Sequence, residues 1–303
     1  MPHKIKKILA ATSLGESSDH VVAAGQILAR ASGAELHVLH AYVMPAMYYG
    51  SPMGMSAVYP HAVESERERV EKLLDAQLAR LQVPAGEVAG KIFEVGTPHR
   101  LLVSSAVELG ADLILVGASE TQGPLAPLLG STADRVLRKA HVPVWVTRGR
   151  LELPLERVLA PTDLSELSNE SLRHGLALLD DLARERPRLA TLFVLSNIER
   201  LGSGQFGPEQ VERFARQELE RSNEALEKDT GWKAAGSLRT GLPRHEIMAS
   251  LEEEPADLVV LGTHGRSGFE RLLMGSVAAD VVRHVSTNVL VVPPAEARDG
   301  EQD

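Results

Sequence analysis

The sequence predicts an α/β fold made of two tandem open parallel sheets of five strands each, flanked by helices, in the Rossmann-like strand order 3-2-1-4-5. Two observations carry this reading. The first is internal repetition. "KKILAATSLGESS" (6–18) resembles "ERVLAPTDLSELS" (156–168), and "VGTPHRLLVSSAVELGADLILVG" (95–117) resembles "TGLPRHEIMASLEEEPADLVVLG" (240–262) without a gap. "GSTADRVLRKAHVPVWV" (130–146) resembles "GSVAADVVRHVSTNVLV" (275–291), again without a gap. The second is the alternation of short apolar runs with longer segments of helical periodicity, which implies parallel pairing and right-handed crossovers.

The elements follow in order along the second copy. "RVLAP" is a short apolar strand, and "NESLRHGLALLDDLARE" repeats its apolar residues at helical spacing. "LATLFVLSN" is the next strand, and "PEQVERFARQELERSNEALEK" is a long polar helix with Pro208 suited to its first turn. Strand "GSLRTG", helix "PRHEIMASLEEE", strand "ADLVVLG", helix "SVAADVVRHV" and strand "NVLVVP" complete the copy. The first copy runs through the same order, with Gly33 closing its first helix. The expected division is 1–148 for the first module and 155–294 for the second, with a flexible tail over 295–303. "RGRLELPLE" (148–156) is the linker, where Pro154 interrupts regular structure.

Composition narrows the function. With 303 residues, 44% hydrophobic and 24% charged, each half can bury its own core. No apolar stretch reaches membrane-spanning length and "MPHKIKKILAATS" holds no long apolar segment before a cleavage site, so no secretory signal and a cytoplasmic protein are expected. A net charge of -9 without a basic run argues against nucleic acid and anionic lipid as partners. Zero cysteines remove disulfides, thiolate metal sites and cysteine nucleophiles.

Ligands of open α/β sheets bind at the carboxyl ends of the strands, beside the point where strand order reverses. Two second-half loops stand at such ends: Pro161-Thr162-Asp163 after the first strand, and "GTHGRSGFERLLMGS" (262–276) after the fourth. Gly262, Gly265 and Gly268 permit close backbone approach, and Gly275-Ser276 open a helix whose N–H groups attract anions. Arg266 and Arg271 can offset phosphate charge, while Asp163, an acceptor, suits ribose or base. His264 titrates near neutrality but has no paired carboxylate in view, so it reads as a loop residue before it reads as an acid or base.

Strand-"PTD", then Gly262-Thr263-His264-Gly265, nine residues and Gly275-Ser276, resembles the ATP-binding universal stress proteins. The resemblance covers nearly the whole chain as two modules. It implies that Asp163 and residues near Asn197 hold the nucleoside, while Gly262, Gly265, Gly275, Ser276 and Val277 hold ribose and phosphates. ATP is the implied ligand, with ADP and AMP as alternatives and Mg accompanying the nucleotide. It further implies a stress-response regulator, and a last strand that mediates dimer contacts: "VPVWV" and "NVLVV" are then expected to pair within the chain as an intrachain pseudo-dimer, with a homodimer as a further expectation. A slow ATPase or phosphotransferase using Asp163 and His264 is the alternative activity, and a scaffold without nucleotide is the third.

The matching stretch of the first half, "GASETQGPLAPLLGS" (117–131), agrees at both ends and differs between them. Ser13 stands where Asp163 does, and Glu120 stands where Gly265 does. The loop has no cation, and Pro124 and Pro127 lack N–H donors. Losses of about 4 kcal/mol in sum would move a micromolar site into the millimolar range. The first module is therefore expected to be degenerate for ATP.

Other patterns carry less. "GSGQFG" (202–207) satisfies G-x-G-x-x-G, but Glu209 follows where a pyrophosphate would sit. His37 and His40 lie three apart on a strand and face opposite sides, which is no metal pair. No P-loop, nucleophile elbow or H-E-x-x-H pair is present. The Met- and Tyr-rich stretch 43–60 reads as an apolar loop that needs cover, by its own domain, the mouth of the first site or the other module.

Overall fold

The computed structural model describes residues 4–42, 55–118, 129–182, 185–202, 206–263 and 274–294, without the side chains of 55–63 and 200–202. The first half runs β1 (Lys7–Ala11), α1 (Asp19–Ser32), β2 (Glu35–Tyr42), α2 (Met55–Arg80), β3 (Val88–Val95), α3 (Pro98–Leu109), β4 (Leu113–Gly117), α4 (Ser131–Lys139) and β5 (Val144–Thr147). The second runs β6 (Arg157–Thr162), α5 (Glu166–Leu182), β7 (Arg188–Leu195), α6 (Asn197–Gly202) and α7 (Pro208–Thr230). It ends with β8 (Ala234–Thr240), α8 (Pro243–Glu253), β9 (Leu258–Gly262), α9 (Ser276–His284) and β10 (Asn288–Val292).

Both halves take the order 3-2-1-4-5, and they meet edge to edge. One ten-stranded sheet results, ordered β3-β2-β1-β4-β5-β10-β9-β6-β7-β8. All pairs within a half are parallel, and the junction pair β5–β10 is antiparallel, Val144 opposite Val291, Trp145 opposite Leu290 and Val146 opposite Val289. Trp145 and Leu290 occupy the same position of the repeat, so an approximate twofold axis passes through their pair. Each half lends its last strand to cover the other's edge, which removes an exposed ladder of unpaired backbone groups.

The helices α1, α2, α5 and α7 pack on one face and α3, α4, α8 and α9 on the other, each over an apolar layer that runs across both halves. Such double coverage explains why β4, β9 and β10 read as continuous apolar runs rather than alternating ones. Gly175 lets α5 lie tightly on the sheet: a Cβ there would meet Val260 Cγ1 at 2.8 Å. Gly25 does the same for α1 against Leu36.

The linker is more than a tether, since Leu151 and Leu155 are buried in the shared apolar layer. The stretch 43–60 divides: α2 already begins at Met55, and 43–54 lie outside the described residues, as does the tail 295–303. The short helix α6 was not anticipated. Its signal is local, a Ser196-x-x-Glu199 capping box in which Ser196 N–H donates to Glu199 Oε2 at 3.0 Å and Glu199 N–H donates to Ser196 Oγ at 3.2 Å.

An ion cluster crosses the junction. Arg138 Nε donates to Asp134 Oδ2 at 3.0 Å within α4, and Arg283 Nη2 of α9 donates to Asp134 Oδ1 at 3.0 Å. Burial works to raise the Asp134 pKa, but the bonds from Arg138 and Arg283 outweigh it and hold the carboxyl below its ordinary value of 3.8. A folded-state pKa lowered in this way contributes stability above the unfolded value and loses it as pH falls through the folded value. Asp134→Asn is therefore expected to cost about 0.5–1 kcal/mol at pH 7, a figure kept small because the groups are partly exposed. The difference from wild type should begin to shrink as pH falls below about 4 and close only below the lowered folded-state value; urea denaturation at pH 7 and pH 3 follows the decline.

Candidate functional site

The second-half cavity exists because two neighbouring strands part. β6 pairs with β7 as far as Thr162, but with β9 only at Val158 and Leu159. Past Leu159, at the point where strand order reverses, β6 and β9 diverge. Pro161, which has no N–H to give, stands in this parted stretch. The gap opens a cavity of about 280 Å³ lined by Pro161, Thr162, Asp163, Gly262, Gly275, Ser276 and Val277 among others.

The turn after β6 fixes the carboxylate. Leu164 adopts φ of 64°, a left-handed conformation that costs a branched side chain on the order of 1–3 kcal/mol. Its N–H donates to Thr162 Oγ1 at 3.0 Å, which offsets part of that cost. Asp163 Oδ1 accepts from Ser165 N–H at 3.0 Å and from Ser165 Oγ–H at 2.7 Å. Those bonds orient the carboxylate without neutralising its charge.

The opposite wall is the start of α9. The first intrahelical bond there runs from Ala279 N–H to Gly275 O, so the N–H groups of Ser276, Val277 and Ala278 make no bond within the helix. Gly275 brings no capping side chain, and its N–H is held by Thr263 O at 2.8 Å, which fixes the helix to the end of β9. Three orphan donors at the positive end of a dipole are a receptor for an anion. Leu192, Phe193, Val194, Ile247 and Leu261 supply apolar walls, as a flat heterocycle requires. A nucleotide fits the described residues: apolar walls for a base, a fixed carboxylate for hydroxyl or amino donors, and an open helix end for phosphate.

Of the residues singled out from sequence, Pro161, Thr162, Asp163, Gly262, Gly275, Ser276 and Val277 come together around this cavity. Asn197 does not: it is exposed at the start of α6 and absent from the lining. The chain from β7 turns into α6 there, and that turn presents Glu199 to the cavity instead. His264, Gly265, Arg266 and Gly268 lie outside the described residues, as does Arg271. Sequence reasoning also passed over Ser168, Phe193, Pro243 and Ile247, which line the same space. Ser168 and Pro243 stand in the first turns of their helices and Phe193 near the end of β7, positions the predicted topology brings toward the switch point; Ile247, inside α8, carries no such signal.

The first half keeps the space and changes the chemistry. Its cavity, about 460 Å³, is lined by Thr12, Ser13, Ser17, Ser18, His40, Ser131 and Thr132 among others. Leu14 repeats the left-handed turn with φ of 67°, its N–H on Thr12 Oγ1 at 2.9 Å. Ser13 replaces Asp163, and its hydroxyl lies 3.3 Å from Ser17 Oγ. Where Phe193 gives an apolar wall, His40 stands with Nδ1 at 2.9 Å from the Thr12 carbonyl, a partner that only accepts, so Nδ1 carries the proton. His37 is on the other side of β2, beside Glu35 at 3.3 Å, which separates the two histidines as expected. Glu120, Pro124 and Pro127 lie outside the described residues.

Paired α/β modules, each with a cleft at its own switch point, define the class of protein. The model of the universal stress protein family matches residues 4–148 and 154–293, and the chain belongs to that family. Universal stress protein MJ0531 of Methanocaldococcus jannaschii is 30% identical over 139 residues, covering 45% of this chain and 81% of its own length. The universal stress protein E homolog of Haemophilus influenzae is 26% identical over 255 residues, covering 80% of this chain and 81% of its own. Among solved structures, a universal stress protein of Archaeoglobus fulgidus superposes with a TM-score of 0.66 at 19% identity, covering 96% of this chain and 99% of its own. No helix among the described residues is long and apolar enough to cross a membrane.

Proposed function

We propose that the chain is a nucleotide-binding regulator that holds one ATP, or its relatives ADP and AMP, in the second of two modules spanning 1–148 and 155–294. A single observation carries the reading: the oriented carboxylate of Asp163 after β6 and three N–H groups at the start of α9 that have no partner within the helix border one cavity. An acceptor for the nucleoside at one end and donors for phosphate at the other match the polarity of a nucleotide. The family resemblance of Gly262, Gly265, Gly275 and Ser276 supports the same assignment, and Mg²⁺ would enter with the phosphates.

The first module lacks the carboxylate. Ser13 offers a hydroxyl engaged with Ser17, so the cavity there keeps its volume while losing its charged acceptor. We assign it no ATP. Binding in one half of a continuous sheet would act by stabilising one arrangement of the helices over another, which is regulation by occupancy.

The experiment is direct. Freshly purified protein is denatured, and the released small molecules are identified by mass spectrometry and counted. An adenine nucleotide near one per chain is expected. No nucleotide in the supernatant and no heat on ATP titration would defeat the proposal.

A further inference from the structure

The junction contains an asymmetry that the repeat does not require. Arg148, one residue past β5 in the first half, turns its guanidinium under the C-terminal end of α9. Its Nη2 donates to the Val282 carbonyl and, at 3.4 Å, to the Arg283 carbonyl. Its own N–H donates to Asn288 Oδ1 at 2.9 Å, which ties its backbone to the head of β10. Both carbonyls belong to the last turn of α9, where backbone acceptors lack intrahelical partners. The position equivalent to Arg148 in the second half is Pro293, and that of Asn288 is Pro143. Among the described residues, only the first half caps the second.

α9 is the helix whose start walls the second cavity. Its nine residues span about 13 Å. A guanidinium at its negative end and phosphate at its positive end both complement the same aligned dipoles. Burial of the guanidinium works against its charge, and among the described residues its buried Nε has no hydrogen-bond partner. The guanidinium is partly buried, so salt screens its field toward the cavity less than that of a fully exposed cation.

We infer that Arg148 is a positioning residue for the phosphate end of the second-half site: from the first half it fixes α9 by its last turn and adds positive charge along the helix axis. The inference rests on the nucleotide reading above. It gives the first half a task that does not depend on a ligand of its own, namely setting the affinity of its neighbour.

The test compares ATP and AMP on wild type, Arg148→Gln and Arg148→Lys by calorimetric titration. Gln keeps a donor without the charge, and Lys keeps the charge. ATP affinity should fall roughly three- to tenfold in the Gln variant, AMP affinity should fall less, and Lys should restore ATP binding to within about twofold. A merely structural role would lower ATP and AMP by the same factor, or would spare neither variant; either result overturns the inference. An unchanged Gln variant overturns it too, while leaving the nucleotide reading intact. Wild type that binds neither nucleotide removes both, and so the two failures are distinguishable.

Discussion

Replacing Asp163 by Asn should weaken ATP binding by about 10- to 100-fold while leaving the protein folded. A hydrogen bond to a charged acceptor contributes about 1.5–3 kcal/mol, and each 1.4 kcal/mol is about tenfold in affinity. Asn keeps an oxygen that can accept from Ser165 N–H and Oγ–H, the two bonds that shape the turn after β6. The change therefore removes charge and retains geometry. Asp163→Ala removes both, and the loss of its turn should add roughly 0.5–2 kcal/mol of destabilisation. Titration calorimetry with melting temperatures measured in parallel separates the two. Equal affinity in wild type and Asp163→Asn would remove the carboxylate from the site.

The largest effect on stability is expected at the junction. Trp145 is fully buried, sits opposite Leu290 on the approximate twofold axis, and belongs to the apolar layer shared by both halves. Trp145→Ala should cost about 3–5 kcal/mol, the usual range for emptying a buried aromatic site. The loss should be felt by the whole chain in one transition, because one apolar layer runs through both halves. Trp145→Phe is the informative control. Among the described residues the buried indole Nε1 has no hydrogen-bond partner, in contrast to Trp232, whose Nε1 donates to Asp180 Oδ1 at 3.0 Å. Removing an unsatisfied buried N–H recovers about 1–3 kcal/mol and offsets the smaller ring. Phe should therefore cost less than half of what Ala costs. Urea denaturation followed by far-ultraviolet circular dichroism measures both. A biphasic curve for the wild type would show that the halves unfold apart.

Much of the fold was legible because the repeat is strong. The alternation of apolar runs and helical periodicity fixed the element order, and the matching "VPVWV" and "NVLVV" segments pointed to a join between the halves, whose antiparallel sense the structure supplies. Gly33 closes α1 with φ of 74°, as a residue past a helix end should. What escaped were features decided locally or by contact. The six residues of α6 are too short for periodicity to show, and only the Ser196–Glu199 box marks them. Asn197 was placed by strand register, and α6 turned it outward. The burial of Leu151 and Leu155 depends on how the halves dock, which no local pattern encodes.

The site was legible in part for a related reason. Glycines and a single Asp at fixed spacing report backbone geometry, which sequence shows directly. The apolar walls at Phe193 and Ile247 come from separate elements, and their meeting is a matter of topology. In the first half Ser13 stands where Asp163 does, and the structure keeps a cavity there. Ser13, the left-handed Leu14 and the uncapped helix start at Gly130 retain the shape of a cleft whose charged acceptor is gone.

The number of ATP molecules bound per chain tests the central claim most directly. Titration of nucleotide-stripped wild type should reach saturation at one ATP per 303-residue chain, with that single site lost or strongly weakened in Asp163→Asn. Saturation at two per chain, or one site that survives the Asp163→Asn change, would contradict the division of labour between the halves.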